Sequence, residues 1–306
     1  MKTKSNLERV LTEGHFAVTG ECGPPRGADR DAVLKKGLIL KGWVDAVNVT
    51  DNQTSIVRMS SQAASLILKS IDLDPVMQMV CRDRNRIAAQ SDALGASALG
   101  INNLLCLTGD HQCFGNQPHA KNVFDLDSIQ LLGAMRDMRD KKKFIYDDFE
   151  IKAPPKLFLG CAENPFGDPL EYRAFRLQKK VENGADFVQT QCIYNVKQFA
   201  KWMKQVRDLG LHKKVYILGG VTPLKSAGMA KYMRDKVAGM DVPDEVIDRL
   251  TGLAPEKARE EGIKICVETI KQLRKIEGVA GVHIMAIEWE DAVPQIVQAA
   301  GLSPRP

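Results

Sequence analysis

The stretch Lys180-Val181-Glu182-Asn183-Gly184-Ala185-Asp186-Phe187-Val188-Gln189-Thr190-Gln191-Cys192 changes character within four residues. Residues 170–183 read as a helix that starts after Asp168-Pro169 and stops at Gly184. Asn183-Gly184-Ala185-Asp186 is a tight turn, and 186–192 follows at once as a short buried strand. Helix, glycine turn and strand in direct succession are one unit of an alternating α/β chain.

The same unit recurs outward in both directions. Short β-rich runs fall at 15–22, 43–50, 75–81, 103–108, 156–162, 186–192, 214–218 and 281–287. Longer stretches between them carry apolar residues near the helical period, as at 55–69, 195–209 and 255–276. In residues 55–69 these are Ile56, Val57, Met59, Ala63, Ala64, Leu66 and Ile67. Eight strand–helix alternations in 306 residues predict a parallel sheet closed as a (β/α)₈ TIM barrel. The competing architecture is an open doubly wound sheet, whose phosphate loop would read G-x-G-x-x-G after the first strand. Neither that pattern nor G-x-x-x-x-G-K-[ST] occurs. The length first allows one domain or two; eight alternations use it up as a single catalytic domain over 1–306.

Composition narrows the function classes. The 43 basic and 38 acidic residues leave a formal charge of +5, and aromatics make up 6%. A mild, dispersed basic excess with few aromatics argues against nucleic-acid binding. The triplet Lys141-Lys142-Lys143 reads as a solvated loop. No apolar run approaches membrane-spanning length, and residues 1–18 hold no stretch of signal-peptide type. Seven cysteines without a C-x-x-C pair point to a reducing, cytoplasmic setting.

In a barrel of this type, chemistry collects at the C-terminal ends of the strands. Those ends here carry Glu21 through Arg26, Thr50-Asp51-Asn52, Gln78, Thr108 through His111, Cys161 with Glu163 and Asn164, Gln189 through Gln191, Gly219 through Pro223, and Glu288. Glu21 and Asp110 are carboxyls at the ends of different strands, and a carboxyl at an apolar rim can serve as a general acid. The structural alternatives are a loop cap or an Arg26 pair for Glu21, and a helix cap or turn for Asp110. Gly109, Gly219 and Gly220 would admit close approach of a ligand to the backbone. The long loop 108–124 is a candidate lid or cofactor clasp. Cys106, His111, Cys113 and His119 are metal-ligand types, but their spacing matches no standard zinc pattern, so no metal is assigned. A thiol nucleophile among Cys22, Cys81, Cys161 and Cys192 lacks an identifiable histidine partner.

Taken in order, these strand ends resemble the methylenetetrahydrofolate reductase family of flavin-containing (β/α)₈ barrels. The resemblance runs over roughly residues 15–302. It rests on Glu21-Cys22-Gly23-Pro24-Pro25-Arg26-Gly27, Val47-Asn48-Val49-Thr50, Leu107-Thr108-Gly109-Asp110, and Lys180 through Asp186 followed by Gln189-Thr190-Gln191. It implies FAD as cofactor. It also implies Glu21 as the acid that opens the imidazolidine ring of methylenetetrahydrofolate, with hydride from reduced flavin giving methyltetrahydrofolate. Asp110 would lie near flavin and pterin. Gln191 would bond the pterin. Thr50, Gln78, Thr108 and Gly109 would line the flavin, with Lys180 and Arg176 at its pyrophosphate.

The sequence departs from many relatives at Gln78, where they have histidine, and at Thr108, where they have arginine. The place of a stacking phenylalanine after strand seven reads Ala227, and an aromatic at strand eight reads Met285. These losses leave the flavin and folate chemistry intact but weaken direct use of NADH or NADPH. They resemble family members fed by an electron-donating protein partner, so a hetero-complex or oligomer is expected. A flavin-carrying electron-transfer subunit and a flavin-free lyase or transferase barrel remain as alternatives.

Overall fold

A computed structural model describes residues 1–306. Eight parallel strands close in sequence order: β1 (Ala17–Cys22), β2 (Ala46–Val49), β3 (Pro75–Val80), β4 (Asn103–Leu107), β5 (Phe158–Glu163), β6 (Phe187–Cys192), β7 (Tyr216–Val221) and β8 (Val279–Ile284), with β8 pairing back onto β1. The helix α1 (Asn6–Thr12) precedes β1. Single helices follow the first six strands: α2 (Arg30–Leu40), α3 (Ser61–Lys69), α4 (Arg86–Ala98), α5 (Ser128–Arg136), α6 (Arg173–Glu182) and α7 (Val196–Asp208). Three helices follow β7, namely α8 (Ala227–Lys236), α9 (Asp244–Leu250) and α10 (Pro255–Leu273), and α11 (Ala292–Ala299) follows β8.

All eight expected runs are strands, and the closed barrel replaces the open-sheet alternative. The helix expected over 55–69 is shorter. Asn52, Thr54 and Ser55 adopt left-handed backbone angles, and α3 starts only at Ser61, where the Ser60 hydroxyl accepts from the Ala63 amide. Its amphipathic pattern extends upstream, but the capping serine sets the start.

Residues two apart on a strand share a face, so the barrel interior is layered. Ala17, Ala46, Val76, Leu105, Phe158, Phe187 and Leu218 form an apolar floor, plugged from below by Leu7, Val10 and Leu11 of α1. One pleat higher, Thr19, Asn48, Gln189 and His283 form a buried polar layer. One pleat higher again, Glu21, Gln191 and Met285 reach the mouth. A polar middle layer is unusual where branched aliphatics ordinarily fill the barrel.

Gly219 and Gly220 correct a sequence expectation. Both lie inside β7, where close packing of protein on protein takes the space expected for a ligand. A Cβ at Gly220 would sit 2.2 Å from the Thr190 carbonyl oxygen of β6, and one at Gly219 would sit 2.9 Å from a Leu273 methyl of α10. Gly220→Ala is therefore expected to cost about 1–3 kcal/mol by overpacking. A fall in the urea midpoint at unchanged slope checks this.

The β4–α5 connection is long, as expected, and it is anchored. Ser55 Oγ donates to the Asp110 carbonyl at 2.9 Å, Arg82 donates to the same oxygen at 3.1 Å, and the Val57 amide donates to Asn116 Oδ1 at 3.0 Å. No helix is long and apolar enough to cross a membrane.

Candidate functional site

A cavity of about 450 Å³ opens at the C-terminal mouth of the barrel. Five expected site residues line it: Glu21 from β1, Gln78 from β3, Arg176 and Lys180 from α6, and Gln191 from β6. Each strand residue arrives by strand alternation. The two α6 residues arrive by helical spacing, one turn apart on the face turned toward the barrel.

Glu21 reaches the cavity from the end of β1. Its side chain is 13% exposed and forms no ion pair with Arg26 or any other lysine or arginine; the nearest base is His283 Nε2 at 3.8 Å. Its carboxyl is thus free for a ligand. Gln191 uses Oε1 to accept from the Cys192 amide at 3.1 Å and keeps its NH₂ for the cavity.

The α6 wall is cationic and unevenly paired. Lys180 is buried, donates to Glu163 Oε2 at 2.9 Å, and also donates to the Ala162 carbonyl. Arg173 is committed to the carbonyls of Gly167 and Asp168. Arg176 is half-buried and pairs with no carboxylate, so it is the cation of this wall available to a bound anion. At the end of β2, Thr50 Oγ1 is buried without a hydrogen-bond partner.

The remaining expected residues lie apart from this cavity. Thr108, Gly109 and Asp110 form the rim after β4. Thr108 and Asp110 are exposed, and Thr108 Oγ1 accepts from the Ser128 amide at the start of α5. Gly109 has φ +91°, and a Cβ there would sit 3.0 Å from Val80, so glycine serves the turn itself. Ala227 opens α8 and packs, like Met285, against a satellite apolar cluster, but only Met285 of the two lines the cavity.

Sequence reasoning noted Glu163 and Gln189 at strand ends without assigning them a role, and it missed His283 and Arg173. Two-residue alternation from Met285 would have placed His283 inward. Nothing local shows that it meets Thr19.

The cysteines do not line the cavity. Six are buried, and burial pushes the thiols of Cys22, Cys81, Cys161 and Cys192 up to about 12, so all four are protonated at neutral pH. Burial thus disfavours a thiolate nucleophile at these strand ends. Native protein is expected to react quickly with a thiol reagent at exposed Cys113 only, and at the other six after denaturation; a second fast equivalent would contradict this burial. No three of Cys106, His111, Cys113 and His119 come together.

A family model described as methylenetetrahydrofolate reductase matches residues 6–301. The chain belongs to the methylenetetrahydrofolate reductase family. Among curated relatives, a probable methylenetetrahydrofolate reductase (NADPH) of Caenorhabditis elegans is 23% identical over 252 residues, covering 80% of this chain and 35% of the worm protein. Methylenetetrahydrofolate reductase 1 of Schizosaccharomyces pombe is 26% identical over 244 residues, covering 78% of this chain and 37% of the yeast protein. The chain thus aligns with little more than a third of the length of these reductases. A solved structure from Clostridium thermocellum, of a protein described as binding two copies of 5-methyl-5,6,7,8-tetrahydrofolic acid, shares the fold at TM-score 0.69 and 14% identity. It covers 97% of this chain and 99% of that one.

Proposed function

We propose that this chain reduces 5,10-methylenetetrahydrofolate to 5-methyltetrahydrofolate as a single catalytic domain, with FAD bound at the barrel mouth. The observation that carries the reading is Glu21: a nearly buried carboxyl, without an ion-pair partner among lysines and arginines, facing the same cavity as Gln191. The family membership and the folate described for the Clostridium protein support the substrate class.

Glu21 gives its proton to N10 of the substrate. The bond between N10 and the bridging carbon then breaks, and that carbon stays on N5 as a cationic iminium. Hydride added to it completes the methyl group. Gln191 offers its amide to the pterin edge and fixes the ring over the acid. Asp110, on the β4 rim outside this cavity, is the residue to which the family resemblance gives the balancing negative charge near the iminium and the flavin.

The residues present fit a flavin dinucleotide. Arg176 offers an unpaired guanidinium for the pyrophosphate, next to Lys180. The orphaned Thr50 hydroxyl and the Gln78 amide offer polar contacts at the neighbouring strand ends, and the resemblance adds Thr108 and Gly109 after β4. A bound reduced flavin would supply the hydride. Arg176→Ala is expected to weaken FAD binding about tenfold, from loss of one charge-assisted contact. Fluorescence titration of the flavin-free protein measures it, and unchanged affinity would remove Arg176 from the cofactor site.

The electron donor is read as a protein partner in the cytoplasm. No phenylalanine, tyrosine or tryptophan lines the cavity, and Met285 occupies the strand-eight position, so no large aromatic side chain there can stack on a nicotinamide. The test is a spectrum of the purified protein followed by anaerobic additions. A yellow protein bleached by methyltetrahydrofolate but not by NADH supports both readings. Bleaching by NADH removes the partner. A colourless protein that cannot be reconstituted with FAD defeats the flavin-dependent reduction.

A further inference from the structure

Beneath Glu21 lies a chain of buried polar side chains that the proton transfer described above does not use. Asn48 Nδ2 donates to Gln189 Oε1 at 2.5 Å, and Gln189 Nε2 donates back to Asn48 Oδ1 at 2.9 Å and onward to Thr19 Oγ1 at 3.1 Å. Thr19 Oγ1 stands 2.9 Å from His283 Nδ1. His283 Nε2 stands 3.8 Å from Glu21 Oε2. Asn48 and Thr19 are fully buried, and Gln189 and His283 are 3% exposed. The chain therefore runs through protein from β2 across β6 and β1 to β8.

Donors and acceptors can be counted along it. Each amide of the Asn48–Gln189 pair satisfies the other, and the second N–H of Gln189 goes to Thr19. The Thr19 oxygen is thus already accepting, and its single proton is left to donate. The nearest group that can take it is His283 Nδ1 at 2.9 Å; the Val282 carbonyl, at 3.5 Å, is more distant. With Nδ1 accepting, the neutral ring carries its proton on Nε2, the nitrogen facing Glu21.

We propose that His283 is a positioning residue for the acid: Thr19 fixes its tautomer, and its Nε2–H holds the Glu21 side chain and steadies the carboxylate left once the proton has gone to the substrate. At 3.8 Å the contact is longer than a hydrogen bond, and a small rotation of Glu21 on binding folate closes it, as catalytic contacts commonly tighten with substrate present. The four-residue chain also gives the polar middle layer a purpose. An aliphatic layer would pack as well but could not orient an imidazole.

This inference rests on the proposed reduction, and its test separates the two. The variants are Thr19→Val, which keeps volume and removes the hydroxyl, and Thr19→Ser, which restores it. Histidine ¹⁵N spectra of the full chain, with His283 assigned by its loss in His283→Gln, are expected to show the Nε2–H tautomer in the wild type and in Thr19→Ser. In Thr19→Val they are expected to show a mixture. In the flavin-loaded protein, Thr19→Val is expected to lower kcat for folate about tenfold, with KM within about twofold and flavin retained, and Thr19→Ser to recover it. An Nδ1–H tautomer in the wild type overturns the inference. So does a Thr19→Val protein with wild-type kcat, while wild-type turnover leaves the reduction standing. A wild-type protein without any folate turnover overturns the reduction and this role together.

Discussion

Glu21→Gln is expected to lower folate reduction by about 10²–10⁴-fold while leaving flavin bound. The amide keeps the shape and the polar contacts of the carboxyl but has no proton to give at N10, so the bond to the bridging carbon stays closed. The fold should be untouched, because Glu21 pairs with no lysine or arginine and the basic side chain nearest to it is His283 at 3.8 Å. The loss should therefore fall on kcat, with an unchanged flavin spectrum and an unchanged melting temperature. Anaerobic reduction by dithionite followed by methylenetetrahydrofolate isolates the folate step. Near-normal reoxidation of the reduced protein by the substrate would move the acid elsewhere.

Lys180→Met is the second large effect, and it is expected on stability as well as on cofactor binding. Lys180 and Glu163 form a buried pair at 2.9 Å, their side chains 6% and 1% exposed. Removing the ammonium strands a carboxylate that water hardly reaches, and breaking such a pair from one side costs about 3–5 kcal/mol. The carbonyl of Ala162 loses its donor in the same step. Thermal unfolding should show the loss at neutral pH. The double variant Glu163→Leu with Lys180→Met removes both charges and should recover most of the stability. Flavin affinity separates the two roles of the lysine: it should stay low in the double variant if Lys180 also faces the pyrophosphate. A Lys180→Met protein as stable as the wild type would show that Glu163 takes up a proton or reaches solvent at little cost.

The strand ends were legible because local rules mark them. Gly184 stops a helix, Asp186 opens a strand, and the eightfold repeat of that unit leaves a closed parallel barrel as the arrangement that fits the length. Placing Glu21, Gln78 and Gln191 at one mouth needed only that topology, since parallel strands bring all their C-terminal ends to the same side. The errors have local causes too. Helix 55–69 was read too long because amphipathicity continues upstream of the Ser60 cap. Gly219 and Gly220 looked like a ligand approach because a glycine reads the same whether a substrate or the Thr190 carbonyl takes its space.

The sequence by itself determined the barrel, the family and most of the cavity wall, because periodicity, caps and strand ends act over a few residues and repeat. Only the tertiary structure decided how side chains from different strands meet. It spends Lys180 on Glu163 while leaving Arg176 free, commits Thr108 to the cap of α5, and threads Asn48, Gln189, Thr19 and His283 into one path to Glu21. Those pairings join residues up to 264 positions apart, and they follow from barrel closure and stagger, which no local pattern encodes.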